Sequence, residues 1–366
     1  VLLATVCDVM PLRKLNRFIA KNVINEFKIN ENKVFKKLYE LSNKKINISI
    51  NDLGYLIGPI LNAGGRLGKS NYATELLSTK NQKIINKRSL ELISLNEKRK
   101  RIEDITLKNI DFSKLENQNT NVIIYYNPNI NEGLIGIIAS RLKDYFNKPS
   151  IVITNSNNIL KGSARSIYKY NIGRVIKLSL DRNLIINGGG HNMAAGFSLK
   201  KENLSNFKLF INNDFLKKQV SSDNLNTYDF ELSSSALNKE FYMDIKKMEP
   251  FGTGNPLPTF LFKDLKVLKS LLLNKKHISC ILKSKKGYSI KSISFDSNNS
   301  EIGKYLLNYK NNLNVIGQIS ENFWNNKKNL QLIIKDIILW FIIDLINIEF
   351  SNKRPQNGPF VYRLGH

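Results

Sequence analysis

The clearest pattern of apolar and polar positions lies between residues 81 and 110. Apolar residues recur there at spacings of seven and three, with Lys, Arg and Glu between them. This repeat predicts an amphipathic helix, and no Gly or Pro interrupts it. The repeating residues are Ile85, Leu92, Leu95, Ile102 and Ile105. A helix this long often bridges two domains. We expect a mixed α/β structure for the residues before it, 1 to about 75.

The next pattern is a strand–helix–strand unit. Residues 122–126 read VIIYY, a β-branched and aromatic run typical of a buried strand, and NPN at 127–129 ends it. Gly133 leads into a helix with one apolar face, and IVI at 151–153 predicts the next strand. Two strands joined by a helix favour a parallel pair, so we expect an α/β domain.

The remaining residues predict a change of fold. Residues 219–228 are polar and predict a linker, and short strands separated by turn signals follow. The predicted strands are 258–269, 277–283, 288–295, 313–318 and 329–336. Several short strands in succession favour a small β-barrel. Residues 351–366 predict a disordered tail or a non-native extension.

Composition adds mainly the sign of the charge. The chain has 366 residues, 42% hydrophobic and 23% charged, which is typical of a soluble globular protein. Its net charge of +26 favours a polyanionic partner, with nucleic acid first and an anionic membrane second. Lys, Asn and Ile are abundant throughout, as a biased genome composition would produce, so charge alone is modest evidence.

Cysteines, histidines and apolar runs restrict the remaining classes. Cys7 and Cys280 lack C-x-x-C spacing, so we expect no disulfide framework or zinc cluster, and a cytoplasmic location fits. Three histidines cannot build a His-rich metal site. The apolar run at 337–343 is too short to span a bilayer, and no signal peptide is visible, so we expect no membrane association. Without an initiator Met, the chain is expected to begin inside a domain.

Two short motifs carry candidate chemistry. Residues 188–197 read GGGHNMAAGF, and consecutive glycines let backbone N–H groups approach a ligand closely. Residues 161–166 read KGSARS, in which Ser163 and Arg165 supply a hydroxyl and a guanidinium suited to phosphate. Taken singly, such residues more often mark turns and surfaces. We expect both motifs on connections between elements, lining one cleft that holds an unpaired polynucleotide.

Four further motifs complete a set. They are GPILNAGGRL at 58–67, LNEKR at 95–99, GLIGI at 133–137 and EPFGTGNP at 249–256. In this order, the six motifs resemble those of the RecJ family of single-strand-specific exonucleases, in the DHH/DHHA1 phosphoesterase superfamily. The resemblance covers roughly residues 1–337.

The resemblance implies an α/β fold followed by an OB-like small β-barrel. Its expected parts are the C-terminal part of a DHH domain (1–80), a connecting helix (81–112), a DHHA1 α/β domain (113–218), a linker (219–228) and a nucleic-acid-binding OB-like barrel (229–337). Residues 338–366 match nothing in the family and stay unassigned.

The resemblance also implies a catalytic arrangement. Asp8 follows a short apolar run in which we expect a strand to end. By the resemblance, Asp8 would ligate one of two Mn²⁺ or Mg²⁺ ions that activate water for phosphodiester hydrolysis. The family's other ligands lie in an Asp-x-Asp motif, a further Asp and an Asp-His-His triplet, none of which is present here. We therefore expect this piece alone to be inactive. His191 would be catalytic, acting with glycine amides to orient the strand near the metals.

Recognition of the strand is implied for a larger group. Ser163 and Arg165 would hold the 5′-terminal phosphate, which would set a 5′→3′ direction. The residues expected to contact nucleic acid or phosphate are Ser163, Arg165, Gly189, Gly190, His191, Arg66, Arg99 and Trp324. Simpler readings exist, since Asp8 could cap the next element and Arg99 could lie on a solvated helix face.

The aromatic residues of the predicted barrel could either stack on bases or belong to the barrel core. Candidate stacking residues are Phe251, His277, Phe295, Phe323 and Trp324. Aromatics at alternate strand positions are more often core, so Trp324, beside polar residues in a predicted hairpin, is the best exposed candidate. The chain departs from the family pattern at Ile60, Asn131 and Ala164, where Arg, His and Gly are usual.

The complete enzyme implied by the resemblance degrades single-stranded DNA 5′→3′ in DNA recombination and repair. Its partners would be single-stranded DNA, a single-strand-binding protein and a RecQ-type helicase. Two alternatives stay open. One is a DHH-family phosphodiesterase acting on oligoribonucleotides or cyclic dinucleotides, which would lack the barrel. The other is a catalytically inactive RecJ-like single-strand-binding subunit.

Overall fold

The computed structural model describes residues 1–44, 48–118, 120–218, 227–308, 311–324 and 327–338. The chain divides into two compact units, one of residues 24–221 and one of residues 1–23 together with 222–366. None of the described helices has the length and apolarity that crossing a membrane requires.

The helices and strands follow in chain order. The helices are α1 (Leu2–Cys7), α2 (Lys14–Glu26), α3 (Lys33–Leu41), α4 (Ile50–Asp52), α5 (Gly58–Arg66), α6 (Asn71–Ser78), α7 (Gln82–Lys108), α8 (Phe112–Asn117), α9 (Ile135–Phe146), α10 (Ile172–Asp181), α11 (Leu204–Lys217), α12 (Lys239–Lys247) and α13 (Glu301–Asn308). The strands are β1 (Ile123–Tyr126), β2 (Ser150–Ser156), β3 (Ile159–Arg165), β4 (Asn187–Gly190), β5 (Ala194–Leu199), β6 (Phe230–Glu231), β7 (Phe260–Leu273), β8 (His277–Ser284), β9 (Ser289–Ser294), β10 (Leu313–Trp324) and β11 (Lys327–Ile338).

The long helix predicted from apolar spacing is confirmed as α7. The side chain of Asn81 caps its first turn by accepting a hydrogen bond from the N–H of Lys83 at 2.9 Å. Its buried residues include Ile85 and Leu92, as the repeat predicts, whereas Ile105 is exposed. Polar residues, Asn96 and Glu103, occupy buried positions near its C-terminal half instead.

A five-stranded sheet forms the centre of the α/β region, in the order β1-β2-β3-β5-β4. β1 and β2 are parallel and joined through α9, as predicted, and the other pairs are antiparallel. One face packs on α10 and α11 through residues such as Val175 and Phe207. The other face packs on α9 through Ile138 and Leu142. The sheet is therefore covered by helices on both sides of β1 and β2.

The two chemical motifs lie in strands, so the prediction that they form connections is wrong. Residues 161–165 belong to β3, and the three glycines belong to the edge strand β4. Glycine normally weakens a strand, but the hydrogen bonds between strands involve only the backbone and form without a side chain. Here, tight packing leaves no room for a side chain at two of these positions. A Cβ on Gly162 would lie 2.1 Å from the ring of Phe197, and one on Gly190 would lie 2.3 Å from the carbonyl oxygen of Ala194.

The C-terminal strands close into the predicted barrel. β7, β8, β9, β11 and β10 are neighbours in that order, and β10 pairs again with β7. This closed five-stranded barrel fits the OB fold, with α13 between β9 and β10. Its core contains Phe260, Phe262, Leu282 and Val315. The linker predicted at 219–228 lies mostly outside the described residues, and so does the tail at 351–366.

Residues 1–23 belong to the barrel unit. The N–H of Leu12 donates to the carbonyl oxygen of Thr253 at 2.6 Å, and Nε of Arg13 donates to that of Gly254 at 2.9 Å. The motif at 249–256 therefore holds the N-terminal segment. The strand predicted before Asp8 is wrong, because residues 2–7 form α1 and Asp8 is its C-cap. A short apolar run does not distinguish a strand from a helix.

Candidate nucleic-acid interface

A cleft of about 670 Å³ opens on the sheet of the 24–221 unit. The residues that line it include Arg66 at the end of α5, Gly133 just before α9, Gly136 in the first turn of α9, and Ser163 and Arg165 of β3. The α/β topology thus gathers one side chain from a helix end and two from a strand beside the N-terminus of a second helix. Further lining residues include Asn62, Gly65, Glu132, Lys161, Asn187, Gly196 and Ser198.

The alternation of β3 presents the polar residues of the KGSARS motif on one face. Leu160, Gly162 and Ala164 are buried, whereas Ser163 and Arg165 are half-buried and face the cleft. Nη1 of Arg165 donates to Oγ of Ser163 at 3.2 Å and to the carbonyl oxygen of Ala164 at 2.9 Å. These hydrogen bonds hold the guanidinium beside the hydroxyl.

The N-terminus of α9 points into the same space. A Cβ on Gly136 would lie 3.0 Å from Nη2 of Arg165 and 3.1 Å from Oγ of Ser163. Glycine in this first turn therefore lets both polar groups come close to the positive end of the helix. Leu134 stands at the N-cap and provides no side-chain cap. A helix start of this kind favours an anion.

Arg66 completes the positive lining. Its Nη1 donates to the carbonyl oxygen of Gly133 at 3.0 Å. Burial lowers the pKa of both Arg66 and Arg165, and a neighbouring guanidinium lowers each further, Arg99 for Arg66 and Arg66 for Arg165. Glu103 offsets part of this effect on the pKa of Arg66. Two poorly hydrated cations close together attract an anion that can neutralise both.

Arg99 does not line the cleft. Its Nη1 donates to Oε2 of Glu103 at 2.9 Å, and Nε of Arg141 donates to Oε1 of the same carboxylate at 2.8 Å. The side chain of Glu103 is only 6% exposed, and it links α7 to α9. Glu103 was not predicted as a site residue, although its four-residue spacing from Arg99 on a predicted helix was a usable signal.

The glycine strand continues the face that Ser163 begins. Ser163 of β3 lies opposite Gly196 of β5, which lies opposite Gly189 of β4. A Cβ on Gly189 would meet nothing within 4 Å. Directly opposed residues share a sheet face, and with strands about 4.8 Å apart this row extends about 10 Å from Ser163. Beyond the hydroxyl, the row is bare backbone.

A second row starts at Arg165. It lies opposite Ala194, whose carbonyl oxygen accepts a 2.7 Å hydrogen bond from the N–H of His191. His191 is exposed and, like Gly189 and Gly190, does not line the cleft itself. The structure therefore brings Ser163, Arg165 and Arg66 together, whereas Gly189 lies two strands away on the same sheet and His191 lies in the turn between β4 and β5. Gly136 and Gly196 were not predicted as site residues.

Asp8 and the barrel aromatics belong to the other unit. Asp8 is exposed, and the described residues contain no group of three or more His, Cys, Asp or Glu that could hold a metal ion. The described residues therefore do not fit a complete metal site, and the role of Asp8 remains a prediction.

Among the candidate stacking residues, Phe251 packs against the barrel core. Phe295 is 51% exposed, with His277 edge-on at 5.3 Å. Nδ1 of His277 accepts a hydrogen bond from the N–H of Asp296 at 2.9 Å. Phe323 and Trp324 lie in β10, but their side chains are outside the described part of the structure.

Comparisons with known proteins agree with this architecture. Family models for the DHHA1 domain and the RecJ OB domain match residues 119–217 and 228–336. The single-stranded-DNA-specific exonuclease RecJ of Haemophilus influenzae is 33% identical over 302 residues, covering 78% of this chain and 52% of that protein. The RecJ of Bacillus subtilis is 28% identical over 353 residues, covering 94% and 44%.

A solved structure shows the same fold. The crystal structure of Thermus thermophilus RecJ in complex with Mn²⁺ aligns with a TM-score of 0.75 at 22% identity, covering 92% of this chain and 49% of that one. Another structure of the same protein contains Mg²⁺ and aligns with a TM-score of 0.74. The chain spans about half the length of these relatives.

Proposed function

Because this chain is a homologue of the RecJ single-stranded-DNA-specific exonucleases, with their DHHA1 and OB domains, we propose that it supplies the part of such an exonuclease that grips the 5′ end of an unpaired DNA strand. One observation carries the proposal. Arg66 and Arg165, both poorly hydrated, share a cleft with Ser163 and the N-terminus of α9. In the described part of the chain, neither arginine forms a salt bridge with a carboxylate.

A terminal phosphate suits this cleft better than an internal one. A terminal phosphate carries close to two negative charges at neutral pH, because its second pKa is near 6. The two guanidiniums can donate charge-assisted hydrogen bonds to its oxygens, and the Ser163 hydroxyl and the helix N-terminus add neutral donors. Holding the strand by its 5′ phosphate would direct degradation 5′→3′.

The glycine rows give the strand a path from the phosphate. Gly196 and Gly189 leave the sheet face without side chains beside Ser163, so a sugar–phosphate backbone can lie close to the main chain. His191, in the row of Arg165, would donate a hydrogen bond to a phosphate farther along the strand. Its catalytic role is part of the proposal.

Hydrolysis itself would require divalent metal, Mn²⁺ or Mg²⁺, which supplies an activated water and stabilises the leaving oxygen. Asp8 is the residue of this chain proposed as a ligand. The described residues do not assemble a metal site, so the proposed contribution of the chain is to bind and orient the strand.

The barrel would also bind the unpaired strand, and its presence argues against the oligoribonuclease or cyclic-dinucleotide alternative, whose members lack it. A role in DNA recombination and repair, a cytoplasmic location and contacts with a single-strand-binding protein or a RecQ-type helicase remain proposals. So does the reading of this chain as an inactive binding subunit.

The test is binding of fluorescent single-stranded DNA with either a 5′ phosphate or a 5′ hydroxyl, followed by anisotropy. We expect the phosphate to tighten binding, Arg165→Ala to abolish that preference, and Arg101→Ala, at an exposed position of α7, to retain it. Affinity should fall roughly linearly with salt on logarithmic axes. Equal binding of both 5′ ends, or of duplex and single strands, by the wild-type chain would overturn the proposal. Digestion of the DNA in Mn²⁺ would rule out the inactive-subunit alternative.

A further inference from the structure

Tyr168 lies in a tight turn directly after the strand that lines the cleft. β3 ends at Arg165, and the N–H of Tyr170 then donates to the carbonyl oxygen of Ile167 at 3.3 Å, which closes a turn around Tyr168 and Lys169. Lys169 has a φ of +73°, the left-handed conformation that the third position of several β-turn types requires. Tyr168 itself is 79% exposed.

The exposure of this ring does not come from a loose segment. Tyr170 is 1% exposed, and Ile167 packs against the same core of the α/β sheet. Oγ of Ser166 donates to the carbonyl oxygen of Tyr170 at 2.6 Å, and the N–H of Ser166 donates to that of Met193 at 2.9 Å. Both ends of the turn are fixed by these contacts. The anchored turn therefore keeps the ring of Tyr168 exposed to solvent.

The turn also lies beside the hairpin that carries His191. The N–H of Gly173 donates to the carbonyl oxygen of His191 at 3.1 Å, and Nδ2 of Asn171 donates to Oδ1 of Asn192 at 2.6 Å. Tyr168 is three positions after Arg165, so their Cα atoms are at most about 11 Å apart. Tyr168 therefore stands near the end of the row that joins Arg165 to His191.

We propose that Tyr168 is a stacking platform for an unpaired nucleobase close to the bound 5′ phosphate, a site that deepens the proposed function and rests on it. An aromatic side chain normally buries about 150–250 Å² of surface, and here most of the ring remains in water. Every base has a π-face, so such a ring accepts any base and requires that it be unpaired. Lys169 places a cation beside the same strand.

The experiment places one 2-aminopurine at each of the first few nucleotides of a 5′-phosphorylated oligothymidylate, because its fluorescence falls when it stacks. The proteins are this chain, Tyr168→Phe, Tyr168→Ala and, as a matched control, Tyr145→Ala. Tyr145 is 64% exposed and lies in the last turn of α9, at the opposite end from the cleft. Matching oligonucleotides carry an abasic site at each position, and a second set carries a 5′ hydroxyl.

We expect quenching at one or two adjacent positions with the wild type and the Phe variant, and none there with Tyr168→Ala. The dissociation constant of Tyr168→Ala should rise about 5- to 150-fold, from the usual contribution of one stacked base. An abasic site at the quenched position should weaken wild-type binding to the level of Tyr168→Ala and leave that variant unchanged. Tyr145→Ala should match the wild type.

If Tyr168→Ala quenches 2-aminopurine and binds the oligonucleotide as strongly as the wild type does, the stacking role is overturned. The 5′-hydroxyl set separates this failure from failure of the proposed function. If the wild type still prefers the 5′ phosphate, only the role of Tyr168 is lost. If that preference is missing, the phosphate-binding cleft fails as well.

Discussion

Gly136 of α9 lies directly against Ser163 of β3, since a Cβ added to the glycine would stand 3.1 Å from the serine Oγ and 3.0 Å from Nη2 of Arg165. At these distances, a side chain at position 136 would require the Ser163 hydroxyl and the Arg165 guanidinium to shift by a few tenths of an ångström. Glycine at position 136 therefore favours joint action of the positive helix end and the hydroxyl–guanidinium pair on the same anion.

Gly136→Ala is expected to fold normally. Its affinity for 5′-phosphate strands relative to 5′-hydroxyl strands should fall about tenfold, because a hydrogen bond to a charged group contributes about 1.5–3 kcal/mol. The measurement is anisotropy with 5′-phosphate and 5′-hydroxyl strands. Gly65→Ala is the matched control, because Gly65 also lines the cleft and its added Cβ would meet nothing within 4 Å. An unchanged preference in Gly136→Ala would argue against phosphate binding at this helix end.

Alanine substitutions at two neighbouring glycines of β4 should affect different properties, stability at one position and single-strand binding at the other. A Cβ on Gly190 would fall 2.3 Å from the carbonyl oxygen of Ala194, so Gly190→Ala is expected to lower the free energy of unfolding by about 1–3 kcal/mol or more. Gly189→Ala should change it by less than about 0.5 kcal/mol while weakening single-strand binding. Urea denaturation and anisotropy measure the two effects. Equal destabilisation by both substitutions would contradict the assignment of Gly189 to an open sheet face.

Among the charged residues that link α7 to α9, substitution of the buried carboxylate should lower the free energy of unfolding the most. Glu103→Gln leaves the Arg99 side chain, 12% exposed, without its counter-charge and is expected to lower the free energy of unfolding by about 3–5 kcal/mol. Arg141→Gln removes the partner whose side chain is 58% exposed and should cost under about 1 kcal/mol. Denaturant titrations of both variants test this order, and a reversed order would show that Glu103 is not the centre of the network.

The thiol of Cys280 predicts a pH dependence of the barrel. Burial raises its pKa from the usual 9.0 to about 12, so the folded state holds this proton more tightly than the unfolded state. The resulting stabilisation is complete below pH 9 and is lost as pH rises from about 9 to about 12, at up to about 1.4 kcal/mol per pH unit. Comparing the unfolding free energies of wild type and Cys280→Ala across this range isolates the effect from lysine titration. Parallel curves would mean that the thiol ionises equally in both states.

Much of the fold could be predicted because it depends on local patterns. The helix α7 follows from a repeat within 30 residues of sequence, and the barrel strands follow from short apolar runs between turn signals. The predicted strand before Asp8 was wrong for the same reason, since the run is too short for its period to identify helix or strand. Helix α13, between two barrel strands, was not predicted.

The candidate site was predicted as a set of residues and not as an arrangement. The motif letters identified Ser163, Arg165 and Arg66, and the resemblance supplied their proposed partner. Glycine preferences indicated connections for both motifs, but the ring of Phe197 leaves no room for a Cβ at Gly162, and the backbone of β5 leaves none at Gly190.

By itself, then, the sequence determined the long helix, the order of the α/β and barrel parts and the chemical types available, because these follow from interactions between residues close together in the chain. Only the tertiary structure decided that Gly136 would admit Arg165 and Ser163, that Arg99 would turn to Glu103 rather than to the cleft, and that Tyr168 would stay in water. Those outcomes depend on packing between segments far apart in sequence, where tenths of an ångström decide which groups meet.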